Sequence, residues 1–131
     1  MKGKKLILAV LAGLLLWLSW NPTGLPFLIF FAFIPLFIIS DMLISEGHKN
    51  QFGIAFCYAI IAFLIWNVAT TWWIFNSTGP GAIATFILNG SFMALVYAFW
   101  HCCRRQGIPE WLSPITFITF WMSFEYLHLH W

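Results

Sequence analysis

Few side chains in this 131-residue sequence can do chemistry: four acids, six Lys or Arg, four His and three Cys. Asn67, Thr70 and Thr71 fall on one helical face at i, i+3 and i+4. Such a row either hydrogen-bonds to a neighbouring helix, as Asn and Thr commonly do in membranes, or forms the polar edge of a cavity. In the second case Trp72 and Trp73 stand at its rim. Asn89 suits the first role. Glu125 is the only charge well inside the last apolar run. A carboxylate at that depth faces a bundle interior or water, which makes it a functional candidate. His128 is within i, i+3 reach of it, but His128 and His130 point to opposite sides of a helix. The ligands are too few for a metal, so neither metal nor cofactor is expected. Cys57 lies in an apolar run, where burial keeps a thiol inert. Cys102 and Cys103 adjoin Arg104 and Arg105 and are expected to stay reduced. No Ser-His-Asp set, phosphate-binding loop or carboxylate pair can be assembled.

The elements that must position these residues follow from the solvent. Hydrophobic residues make up 62% of the chain and charged ones 8%, with a mean hydropathy of +0.87. A water-soluble domain needs more polar surface than that. Apolar runs cover 6–20, 26–44, 52–75, 82–103 and 112–131. As helices the last three reach ~36, ~33 and ~30 Å, against a hydrocarbon core of ~30 Å. The second reaches ~28 Å and is interrupted by Pro35. The first reaches only ~22 Å, either a short crossing helix or one arm of a hairpin. Continuous apolar runs in lipid satisfy their backbone as helices rather than barrel strands. The sequence therefore predicts an all-α, polytopic transmembrane helical bundle. It has about five membrane helices, the first one short, in a single transmembrane domain over 1–131.

Charge sets the orientation. Lys2, Lys4 and Lys5 precede the first run, Lys49 lies in the second break, and Arg104 and Arg105 open the fourth. The first and third breaks carry no charge. If every run crosses, all the basic residues share one face, which the positive-inside rule makes cytoplasmic. The N-terminal lysines also suggest a signal peptide, but Trp17, Ser19 and Trp20 offer no small-x-small cleavage site. An uncleaved first segment is expected. No dense basic patch suggests nucleic acid. Trp17, Trp20, Trp72, Trp73, Trp100, Trp111 and Trp131 cluster near run ends, as interfacial anchors do. Trp66 and Trp121 sit deeper, where they would pack between helices. Small residues at four-residue spacing (Gly90, Ala94 and Ala98; Ala55 and Ala59) predict that the third and fourth runs pack along those faces.

Three stretches add a resemblance. NPTGLPFLIFFAFIPLF (21–37), NVATTWWIFNSTGPGA (67–82) and SFEYLHLHW (123–131) together resemble the N-terminal membrane region of bacterial apolipoprotein N-acyltransferases. The resemblance implies transfer of an acyl chain from a phospholipid to the amine of a lipoprotein's diacylglyceryl-cysteine. In the family a nitrilase-like domain performs it with a Glu-Lys-Cys set through a thioester. That domain would lie beyond Trp131, so no acid, Lys or Cys here inherits a catalytic role, and the chain alone is expected to be inactive. The implied partners are membrane phospholipid and, through the missing domain, a lipoprotein. The implied location is the bacterial inner membrane, with the N-terminus cytoplasmic and the other end periplasmic. By topology and polarity, Asn67, Thr71, Trp72, Trp73 and Glu125 are candidates for an outward rim that borders the acyl-chain route.

Two other readings compete. One is a small oligomeric channel or carrier subunit, which would need a polar path across the bilayer. The polar groups are expected mainly in the outer half, which disfavours such a path. The other is a membrane anchor for a separate protein.

Overall fold

The structure, a computed structural model, describes residues 2–20 and 24–130, without the side chain of Lys2. Asn21, Pro22 and Trp131, which the sequence assigns to the first break and to an interfacial anchor, lie outside the described residues. Among the described residues every regular element is helical. Four segments are long and apolar enough to cross a membrane: Gly3–Trp20, Pro26–Glu46, Gln51–Asn76 and Gly79–Arg105.

Helix α1 (Lys2–Trp20) has 19 residues and reaches ~28 Å, so the first segment is not short. It gains length because its lysines are helical and Lys5 is buried against Glu46, which lets the polar turn join the apolar one. The second segment comes in pieces: a 3₁₀ turn (Pro26–Leu28), α2 (Ile29–Ala32) and α3 (Ile34–Glu46). Pro35 lacks an N–H and crowds the carbonyl four residues back, which accounts for the joint at Phe33. Helix α3 closes on Gly47 in the left-handed region (φ 65°), where glycine carries no Cβ penalty.

Helix α4 (Gln51–Thr71) starts at Asn50, whose side chain accepts from the Gly53 N–H at 3.1 Å. It ends before the apolar run does, tightening into a 3₁₀ helix over Trp72–Asn76. The Thr70 and Thr71 hydroxyls bond back to the Trp66 and Asn67 carbonyls at 2.8 and 2.6 Å, competing for the acceptors of the last turn. Helix α5 (Gly79–Arg105) is capped by Thr78 and carries Arg104 and Arg105 in its last turn, where cations favour the dipole. Helix α6 (Ser113–His128) has 16 residues, ~24 Å, shorter than the other four segments.

Helix α4 is the centre of the bundle, packing most extensively on α5 and then on α1. Its buried face, Ala55, Ala59, Ala62, Phe63 and Asn67, repeats at helical spacing. Gly90, Ala94 and Ala98 are buried on α5 as the sequence anticipates, with Leu64 and Ile60 of α4 closest to Gly90. On the other side α1 presents Ala9, Ala12 and Gly13. A Cβ on Gly13 would stand 2.7 Å from the Ala62 carbonyl oxygen, so that crossing requires glycine. Helix α6 attaches through aromatic contacts, including Phe117 with Phe33, Phe37 and Trp100, and Trp121 with Phe63.

Candidate functional site

The two ends of the bundle carry different chemistry. At one end the basic residues of separate segments converge. Lys5 of α1 is buried in an ion pair with Glu46 of α3, and Glu46 also meets His48 at 3.0 Å. Arg104 of α5 pairs with Asp41 of α3. Beneath them runs a buried chain of polar groups. Arg104 donates to Ser40 Oγ (3.1 Å), Ser40 meets His101 Nδ1 (2.8 Å), and His101 Nε2 meets Gln51 Oε1 (3.2 Å). Gln51 Nε2 then donates to the Leu43 carbonyl at 3.0 Å. Tyr97 adds a bond from its hydroxyl to the Leu36 carbonyl at 2.6 Å. Three helices are thus tied together where the sequence offers only scattered polar letters.

This network corrects the expectation that polar groups lie mainly in the other half. Ser40, Gln51 and His101 each sit near the end of an apolar run, where a polar residue reads as a solvated tip. Their common end follows from the antiparallel order, but their side-chain directions do not. Trp100 is also corrected. It is fully buried rather than interfacial, donating to the Ser113 carbonyl at 3.0 Å and packing on Tyr97 and Phe37. Cys57 is exposed on the outside of α4, not buried. Its run is apolar all round, so the sequence could not tell the lipid face from the core.

The opposite end holds most of the residues that sequence reasoning selected. Asn67 is buried, donates to the Phe63 carbonyl (2.8 Å) and accepts from Asn89 Nδ2 of α5 (2.6 Å). Interhelical bonding therefore accounts for Asn67 and Asn89. Thr71 belongs to the same group through the Asn67 carbonyl. Trp72 and Trp73 follow immediately, 61% and 57% exposed, as a protruding aromatic step. Glu125 lies in the C-terminal half of α6, partly buried, and among the described residues no hydrogen bond or ion pair joins its side chain to the Asn67 group. Trp66 and Trp121 pack between helices, Trp66 against Trp20 and Phe63, and Trp121 against Phe33 and Phe63.

Among the described residues no thiol is hydrogen-bonded to a base, and no three potential metal ligands stand together. The arrangement is a helical bundle with a charged end and an aromatic, polar end.

Comparison with known proteins adds the family. The description "Apolipoprotein N-acyltransferase N-terminal domain" matches residues 12–131. An apolipoprotein N-acyltransferase of Chlorobaculum tepidum is 28% identical over 131 aligned positions, covering 97% of this chain and 23% of the relative. The chain thus spans under a quarter of the length of that curated relative. No solved structure matches the chain significantly. With that match over nearly its whole length and the helical bundle that accompanies it, the chain belongs to the apolipoprotein N-acyltransferase N-terminal domain family.

Proposed function

We propose that this chain is the membrane platform of an apolipoprotein N-acyltransferase. Such an enzyme moves an acyl chain from a phospholipid to the amino group of a lipoprotein's diacylglyceryl-cysteine, a step in lipoprotein maturation. The observation that carries the reading is the family match over residues 12–131 on a chain built from membrane-crossing helices. On this reading acyl transfer belongs to the remainder of such a protein, of which this chain covers 23% in the relative above. The Glu-Lys-Cys set of the family is expected outside this segment, and none of Cys57, Cys102 and Cys103 corresponds to its nucleophile, so this segment alone is expected to be inactive. The basic end faces the cytoplasm and the Trp72–Trp73 end faces the periplasm of a bacterial inner membrane. In that orientation Trp72, Trp73 and Glu125 border the route of the acyl donor, and Asn67 and Thr71 hold that rim in place from within.

The channel reading gains no support from the packing. Ala59, Ala62, Phe63, Met93 and Ala94, all buried and apolar, lie between the Asn67–Asn89 pair and the His101 network. Among the described residues, the α4–α5 interior of one copy therefore carries no polar path from the one group to the other.

The test uses the full-length enzyme carrying this segment. Trp72→Ala/Trp73→Ala and Glu125→Ala should lower lipoprotein N-acylation at unchanged membrane abundance, whereas Cys57→Ala should not. Wild-type acylation in the rim variants would remove those residues from the donor route.

A further inference from the structure

The kinked second segment and α6 do not close completely on each other. Between them Phe33 and Phe37 meet Phe117 and Trp121 ring to ring, with centroids 5.1, 5.3 and 5.2 Å apart. Along the flank of that interface lies a slot of about 340 Å³. Ile29, Phe33 and Phe37 form one wall, and Pro114, Phe117 and Trp121 form the other. The lining runs from Ile29 to Phe37 and from Pro114 to Met122, ~12 Å of helix axis on each side. No charged or hydroxyl-bearing side chain lines it. Phe30 and Ile118, 81% and 59% exposed, mark its open lips, whereas Phe117 at its floor is only 4% exposed.

Depth and size together decide the occupant. Phe33 lies ~11 Å past the start of the Pro26–Glu46 segment, so in a bilayer the slot opens onto hydrocarbon rather than water. Spread over ~12 Å, the slot has a mean cross-section of ~28 Å². A helix with its side chains is ~10–12 Å across, ~80–110 Å², and could only lie over the opening. A polymethylene chain with carbon contacts at ~4 Å needs ~20 Å². One chain therefore fits lengthwise, with dispersion contacts to both walls.

We propose that this slot seats one acyl chain of a membrane phospholipid, parallel to the helices and wedged between the second segment and α6. The chain belongs to the packing of the protein rather than to the lipid layer around it, because it reaches a ring that the bundle otherwise buries. It extends the aromatic interface that attaches α6. The site needs only a membrane-crossing bundle and does not depend on the acyltransferase reading.

The test places the 131-residue chain in phosphatidylcholine discs doped with a phosphatidylcholine that carries a mid-chain diazirine. After irradiation, adducts are mapped by peptide mass spectrometry. Ile87 of α5, 54% exposed at a similar distance into its own segment, reports the surrounding lipid. Phe33 and Phe117 should carry more adduct than Ile87, the reverse of their order of exposure. Ile118→Trp and Met122→Trp each add bulk at an exposed lining position, and each should remove the slot adducts while leaving those at Ile87. Adducts that rank by exposure, with Ile87 above Phe117, would overturn the site, as would slot adducts that survive both substitutions. Discs that hold two copies and show no slot adducts would give the slot to a second copy and overturn the lipid.

Discussion

His101 has two ring nitrogens and one proton to share between them, and its neighbours decide where that proton sits. Gln51 donates through Nε2 to the Leu43 carbonyl, which turns its Oε1 toward the ring as an acceptor. His101 must then carry its proton on Nε2 and present a bare Nδ1 to Ser40. Ser40 can donate to that nitrogen because Arg104 supplies the bond its oxygen accepts. All bonds point one way, from Arg104 to the Leu43 carbonyl, and no member is left unmatched. His101→Leu would strand the Gln51 oxygen and the Ser40 proton, at about 1–3 kcal/mol for each unsatisfied buried group. Unfolding titrations in detergent should show that loss. Adding Ser40→Ala should then cost less than the sum of the two single changes, since the pair shares one bond. Strict additivity would mean that the Ser40–His101 contact contributes nothing. The Arg104–Asp41 pair matters less to stability, because the Asp41 side chain is 57% exposed and water screens it.

Between elements, the two faces of α4 differ in tolerance, and two glycines report the difference. Gly13 of α1 has a backbone oxygen and the Ile65 Cβ where its own Cβ would go, 2.7 and 2.9 Å away. Neither can move without shifting α4, so Gly13→Ala should destabilise the bundle by about 1–3 kcal/mol. Gly90 of α5 meets the end of a flexible side chain, Leu64 Cδ2 at 3.1 Å. That methyl can swing aside, and alanine gains helix propensity of ~1 kcal/mol over glycine, so Gly90→Ala should be close to neutral. Denaturation of both variants in one detergent checks the contrast, and equal losses would mean that the crossings are equally tight. The rows on α4 and α5 were legible because four-residue spacing of small side chains marks a close face. The partner of α1 was not legible. Spacing shows which face is small, never which helix will meet it. Trp100 shows the same limit, since its position suggests an interface while its acceptor, the Ser113 carbonyl, belongs to the next helix. Trp100→Phe keeps one aromatic ring but removes the N–H and part of the buried indole volume. It should loosen α6 selectively, seen as faster amide exchange over 113–128 than in α4.

For the whole molecule, the ion pairs Lys5–Glu46 and Arg104–Asp41 place the ends of α1, α3 and α5 together. The segments therefore alternate in direction, and the turns fall into two sets. His48 and Gln106, both exposed, lie at the basic end, while Ser77, also exposed, lies in the turn between α4 and α5 at the other. Basic residues are retained on the cytoplasmic side during insertion, so the first set should face inward. Cysteine placed at these positions, with the three native thiols removed, turns that into a measurement. In intact bacterial cells an impermeant thiol reagent should label Ser77→Cys alone. His48→Cys and Gln106→Cys should react only after the inner membrane is opened. Labelling of all three from outside would mean that α4 and α5 form a re-entrant pair rather than two crossings. The reverse pattern would keep the bundle but invert it, turning the Trp72–Trp73 rim toward the cytoplasm and away from periplasmic lipoprotein.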